Sequence, residues 1–551
     1  METSEQNIKS PAEQGIGAQD DNNNYSKNGG WITFPFIMGN LGGLSVAAGG
    51  WGANWIVFLI TKFNIGSISA TKINNVGFAF ICLFPIVGAI IADSFAGNFI
   101  VIAISSMIAL LGMTLLTLIV GIPSLMPIPC LNGSSSIIPC DSPSNGQYLI
   151  LYTAMGLITM GIGGSRFTIA TMGADQFEKN NHQASFFSWY FIVLYVGNAI
   201  SYIVLVYLMD NISWELGFGI CLAMTALGLI SFLLGKNFYR FVKPKGSPFV
   251  SMARVVVAAI RNRKLSLSDR ALTNTSGIIV HTKSPSKRFR LLNKACLVTQ
   301  NEEQINSGST KSWKLCTVEE VEDLKRVIKL IPLWSTGILL TTTIALFNGL
   351  STIQALAMDR EVGSIKIPAG TFLAFTLVTT AISIFIVDRY LLDMWQKLSG
   401  RSLSPLQKIG IGHIFNILGM VATAITEAKR LHLAQANPAT SVVSMSALWL
   451  VPCLVIVGIG EAFHFPGQVA LYYQEFPDSL KTTSTAMVSL LIGLGYYLSV
   501  VFTDFIDNTT GWLPNNINIG RVDCVYWLFV VIGVLNFGYY LVCAKLYEYQ
   551  L

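Results

Sequence analysis

The chain has 551 residues, 52% of them hydrophobic and 12% charged, with a mean hydropathy of +0.56. A soluble domain carries about 25% charged residues, so this composition marks an integral membrane protein. The net charge of +6 is concentrated in one internal segment and gives no reason to expect a nucleic-acid partner. Nine cysteines without CxxC or a Cys/His cluster argue against a metal or redox site, and no cofactor is expected. The lack of a P-loop, GxSxG or HExxH takes support from ATP-driven transport and hydrolase chemistry.

Residues 1–30 are polar and mixed in charge, with Glu2, Glu5, Glu13, Asp20 and Asp21 against Lys9 and Lys27. Without a basic n-region and an apolar h-region they read as a disordered cytoplasmic tail, and the first membrane helix acts as signal anchor. Runs long enough to span a bilayer, which takes ~20 residues, then recur. Six fall at Phe34–Ile60, Ile73–Ala92, Phe99–Ile122, Tyr148–Met172, Phe186–Leu208 and Leu216–Leu234. Six more fall at Val327–Leu350, Ala369–Val387, Lys408–Ile425, Ala447–Tyr472, Thr483–Thr503 and Val525–Ala544. The expected domains are therefore a six-helix half over 31–235, a basic cytoplasmic loop over 236–326, a second half over 327–546 and a short tail over 547–551.

Between the halves, Lys236–Lys329 holds 19 Lys and Arg against 7 Asp and Glu, a net +12. Positive loops stay in the cytoplasm, and even helix counts then put both termini there. That basic run either touches anionic lipid or is a solvated loop. Two loops assigned outside, Pro123–Gly146 and Asp504–Cys524, carry glycosylation acceptors at Asn132 and Asn508. Cys130 and Cys140 share the first of these and are either bridged or two unrelated thiols.

One stretch dominates: Gly161–Tyr190, GIGGSRFTIATMGADQFEKNNHQASFFSWY, which carries Arg166 inside an apolar run. A charge at the centre of a membrane helix costs from ~2.5 to more than ~10 kcal/mol and must face protein or water. Arg166 is thus either half of a structural ion pair or a permanent cation that receives an anion.

GADQFE followed by SFFSWYF resembles the signature of the proton-dependent oligopeptide transporters. FRLLNKACL (Phe289–Leu297), WKLCTVEEVEDLK (Trp313–Lys325), IPLWSTGI, AMDR (Ala357–Arg360) and GIGEAFHFPGQVALYYQEFP are similar to the plant branch, the nitrate transporter/peptide transporter family. The likeness covers essentially the whole chain after Gly30. It implies an all-α membrane protein of the major facilitator fold, with twelve transmembrane helices in two six-helix halves that rock around a midplane site. The opening GWITFPF also resembles the nitrate excretion subgroup.

Departures from the family pattern carry the functional reading. The family's Glu-x-x-Glu-Arg/Lys motif in the first helix, implicated in proton coupling, falls on Leu41, Leu44 and Ser45 here. Leucine and serine cannot exchange a proton at accessible pH, so coupling is lost or has moved to Glu461 or His464. Arg166 stands where the family has a lysine linked to coupling and substrate. An arginine keeps its proton, and its planar fork suits nitrate as well as carboxylate.

Glu461 matches a family glutamate in the tenth helix and is expected to neutralise Arg166 when no anion is bound, or to be a permanent structural partner. Thr341, Thr342, Thr343, Asn348, Asn40 and Ser45 are candidates to line a wet cavity or to bond helix to helix. Trp334, Tyr190 and Phe463 are pocket or packing residues. Asp93, in IIADSFAGN, resembles the family's gating loop, with Asn98 replacing its basic residue, and Asp175 is expected to be structural.

An anion moving without a proton carries net charge, and an inside-negative field drives it outward. The expectation is a passive, proton-uncoupled exporter of nitrate, or of chloride, in a plant plasma membrane or tonoplast. The alternatives are a proton-coupled importer of nitrate, peptides or another organic anion, and a transport-dead receptor; no catalytic set suggests an enzyme.

Overall fold

In hydrocarbon a backbone must satisfy its own polar groups, so each apolar run closes into a helix. The computed structural model describes residues 29–92, 96–128, 142–178, 180–241, 248–264, 272–273, 279–280, 289–296, 316–400, 403–436, 442–476 and 481–547. Among them, 12 helices are long and apolar enough to cross a membrane. The N-terminal half comprises α1 (Phe34–Thr61), α2 (Ser67–Ile91), α3 (Asn98–Gly121), α4 (Asn145–Ala174) and α5 (Asn180–Ile200). A π-turn at Ser201–Leu205 carries α5 into α6 (Val206–Asn211), and α7 (Trp214–Leu234) follows. Between the halves lie α8 (Pro248–Arg261) and α9 (Val318–Lys329).

The C-terminal half begins with α10 (Ile331–Leu356) and α11 (Leu373–Ile386), which a second π-turn joins to α12 (Leu392–Ser399). Then come α13 (Pro405–Ala436), α14 (Val451–Glu475), α15 (Lys481–Thr510) and α16 (Val522–Leu546). Six crossings per half bring both ends of the chain to one face, here called the terminal face. There Gly29 N donates to Phe238 O at 2.9 Å and the Tyr547 hydroxyl to Glu475 Oε2 at 2.6 Å. The opposite face is called distal.

Three segments differ from the sequence-based expectation. The ninth run does not end at Ile425: α13 continues to Ala436, because Glu427 and Arg430 pair with each other inside the protein. Likewise α15 runs to Thr510, so Asp504 and Asn508 are helical rather than in a loop. The described part of the middle segment is folded on itself. Val255, Ala258, Ala295, Cys296, Val321 and Leu324 form a small separate core, and Thr317 with Glu320 makes a capping box that starts α9. Burial raises the thiol pKa of Cys296 to about 11 and of Cys316 to about 12, so both stay protonated. Asp93, Cys130, Cys140 and Asn132 lie outside the described residues.

Small residues decide how closely the site helices approach. A Cβ on Gly161 would lie 2.3 Å from Ala109 N, and one on Gly88 would lie 2.7 Å from Gly164 O. Thus α4 touches α3 and α2 backbone to backbone, as small-residue interfaces permit in membranes. Arg166, about 140° around the helix from Gly161, is turned away from that α4–α3 contact.

Candidate functional site

Arg166 is half-buried in α4 and makes no ion pair among the described residues. The Tyr190 hydroxyl of α5 donates to the Arg166 carbonyl at 2.8 Å and also lies against the guanidinium. The charge of Arg166 reaches Cys82 of α2 and Tyr195 of α5. Glu461, half-buried in α14, sits beside Thr380 of α11. Its carboxylate acts on Tyr195, Tyr202 and Tyr496. Tyr195 lies within electrostatic reach of both charges, one from each half. They do not pair with each other in this structure, so the expected neutralising contact is not closed.

The other expected site residues divide. Asn348 of α10 lies beside Tyr496, the same tyrosine that the Glu461 charge reaches. Thr342 donates its proton to Ile338 O at 2.8 Å, within its own helix. Trp334 stands near the terminal end of α10, its ring 6.3 Å from Tyr472 and 6.5 Å from Phe476, in an aromatic cluster apart from Arg166. Asp175 accepts from Asn98 Nδ2 at 3.4 Å, a link between the ends of α4 and α3 at the terminal face. His464 packs edge-on against His413, with ring centroids 5.4 Å apart, inside the C-terminal half.

The first helix is apolar at the positions where the family carries its acids. Leu41 and Leu44 are 2% and 4% exposed, and Ser45, 3% exposed, donates to Leu41 O at 2.7 Å. These side chains fill the core of the N-terminal half, and Asn40 bonds across to Ser106 at 3.2 Å. Three tyrosines, Tyr195, Tyr202 and Tyr496, were not singled out in the sequence. Tyrosine in an apolar run reads as packing, and nothing short of the fold brings three tyrosines within electrostatic reach of one carboxylate.

The hydrogen bonds and ion pairs that join the two halves, among the described residues, run from mid-depth to the distal face. Asn75 Nδ2 donates to Ser499 Oγ at 3.0 Å. Lys72 pairs with Asp504 at 2.6 Å and Asp507 at 3.3 Å, and Arg360 lies 3.8 Å from Asp210. Burial lowers the Arg360 guanidinium from its ordinary pKa, an effect the Asp210 carboxylate opposes. Gly370 lets the α11 approach press on α1, since a Cβ there would lie 2.4 Å from Ala53 O.

Two halves of membrane-spanning helices, joined by polar contacts toward one face and with Arg166 free of ion pairs among the described residues, have the make-up of a carrier. Comparison with known proteins agrees. The POT family model matches residues 99–519. NRT1/PTR FAMILY 2.7 of Arabidopsis thaliana is 48% identical over 550 residues, covering 98% of this chain and 97% of its own. NRT1/PTR FAMILY 2.6 of the same plant is 49% identical over 533 residues, covering 95% and 94%. The crystal structure of an auto-inhibited POT family peptide transporter superposes with a TM-score of 0.70 at 15% identity, over 94% of this chain and 98% of that one. The chain belongs to the POT family of membrane transporters and, within it, to the plant NRT1/PTR family.

Proposed function

We propose that this protein is a passive carrier of a small inorganic anion, nitrate first and chloride second, that moves its substrate without a proton. One observation carries the reading: Arg166, a cation with no ion-pair partner among the described residues, reaches the same tyrosine, Tyr195, as Glu461 of the other half, while Leu41, Leu44 and Ser45 are buried in the N-terminal core. A guanidinium keeps its charge throughout the cycle and presents two parallel N–H donors to a trigonal oxyanion. Glu461 repels an anion and, once the site empties, is placed to attract Arg166 and draw the halves together. The halves rock around these two charges. On this reading the inter-half contacts at the distal face hold the carrier closed there, and with the terminal face in the cytoplasm of a plant plasma membrane the site opens inward. An inside-negative potential then favours export by ~2.3 kcal/mol per charge per 100 mV, about fifty-fold in concentration.

A second reading, proton-coupled import of nitrate, a peptide or another organic anion, draws on Glu461 as an ionisable acid at membrane depth and on the solved peptide transporter that shares this fold. Substituting Arg166→Ala separates substrate binding from mere structure. Anion flux falls to background while surface protein persists; flux that survives removes Arg166 from the binding role.

A further inference from the structure

The distal ends of the two halves meet where α2 begins. Ser67 Oγ donates to Asn515 O at 2.6 Å, and a Cβ on Gly66 would lie 2.2 Å from Asn515 Oδ1. Asn515 belongs to the turn between α15 and α16, which Arg521 N closes on Trp512 O at 3.0 Å. Arg430 of α13 grips the same turn from within its own half. Its Nη1 donates to Asn518 Oδ1 at 2.5 Å and its Nη2 to Ile517 O at 3.2 Å. The fork also takes Glu427 in a bidentate pair at 2.8 and 2.7 Å, with both side chains at 0% exposure. Gln354 of α10 donates to Glu427 Oε2 at 2.6 Å, and the Tyr526 hydroxyl of α16 donates to Gln354 Oε1 at 3.0 Å.

A buried ion pair of this kind is often no better for stability than apolar residues of equal volume. What the pair supplies here is placement. Glu427 and Gln354 fix the guanidinium against α13, α10 and α16, and its remaining donors fix a turn two residues from the contact with Ser67. We infer that Arg430 is a positioning residue for closure of the distal face: it holds the 512–521 turn where Asn515 can meet the other half. The role rests on the reading that the halves rock during transport.

Oxidative cross-linking of the full-length protein in membranes tests it. Ser67→Cys with Asn515→Cys reports the turn's contact, and Lys72→Cys with Asp504→Cys reports the neighbouring contact between α2 and α15. Each pair is compared in the parent and in Glu427→Gln/Arg430→Met, which leaves no unpaired buried charge. The 67–515 cross-link slows about threefold or more while the 72–504 cross-link keeps its parent rate. An unchanged 67–515 rate, or an equal loss at both pairs, overturns the inference. Flux after cross-linking tests the premise separately: transport by a protein locked at 67–515 refutes rocking and leaves the cross-linking rates to decide the role of Arg430.

Discussion

A guanidinium and an ammonium differ in one property that decides the chemistry of this carrier: the ammonium can give up its proton when desolvated. The proposed mechanism uses that difference: with a guanidinium at position 166 the site keeps one charge through the cycle. Replacing it with lysine restores a group whose proton can leave. Anion transport by Arg166→Lys should weaken and acquire a dependence on external pH that the parent lacks, measured as tracer flux over a pH series. Position 41 allows the converse experiment. Leu41 is 2% exposed, in the hydrophobic core. An unpaired buried carboxylate costs several kcal/mol, so Leu41→Glu should lower the yield of folded protein rather than install proton coupling, as read by size-exclusion and flux. Both charged site residues were legible in the sequence, since a charge within a run of apolar residues is conspicuous whatever the fold. Glu427 and Arg430 were not, because charges near the end of an apolar run read as its boundary. Their i, i+3 spacing was the available signal.

At the scale of elements, hydropathy made the helices legible and left their ends open. The run expected to stop at Thr503 continues to Thr510, where Asp504 and Asp507 find Lys72 across the interface. No local pattern could announce that partnership, since Lys72 and Asp504 come from opposite halves of the chain. The close approach of α4 to α2 rests on glycine backbones, and Gly88 is its most economical probe. A methyl group there meets the Gly164 carbonyl at 2.7 Å, too near for the helices to keep their spacing. Overpacking of this kind costs about 1–3 kcal/mol. Gly88→Ala should therefore lower the melting temperature and, by moving α4, reduce anion flux more than its loss of folded protein explains.

Across the whole molecule, two kinds of polar contact divide the labour. The ion pairs that tie α2 to α15 across the halves are partly exposed: Lys72 is 19% exposed, and Asp504 and Asp507 are 53% and 39%. Pairs so open to water are worth about 0–1 kcal/mol each, weak enough to break in every cycle. The Glu427–Arg430 pair within the C-terminal half is fully enclosed, and removing one partner alone would cost ~3–5 kcal/mol. A carrier that rocks needs this arrangement, with firm halves and a soft seam between them.

Charge movement per anion is the most direct measure of the central claim. Cells loaded with nitrate or chloride, clamped at fixed voltage and held at two external pH values, report current and tracer efflux together. The account predicts one negative charge carried outward per anion, with efflux rising as the inside is made more negative and unchanged between the two pH values. Electroneutral efflux, or a rate locked to the proton gradient in fixed ratio, would contradict it.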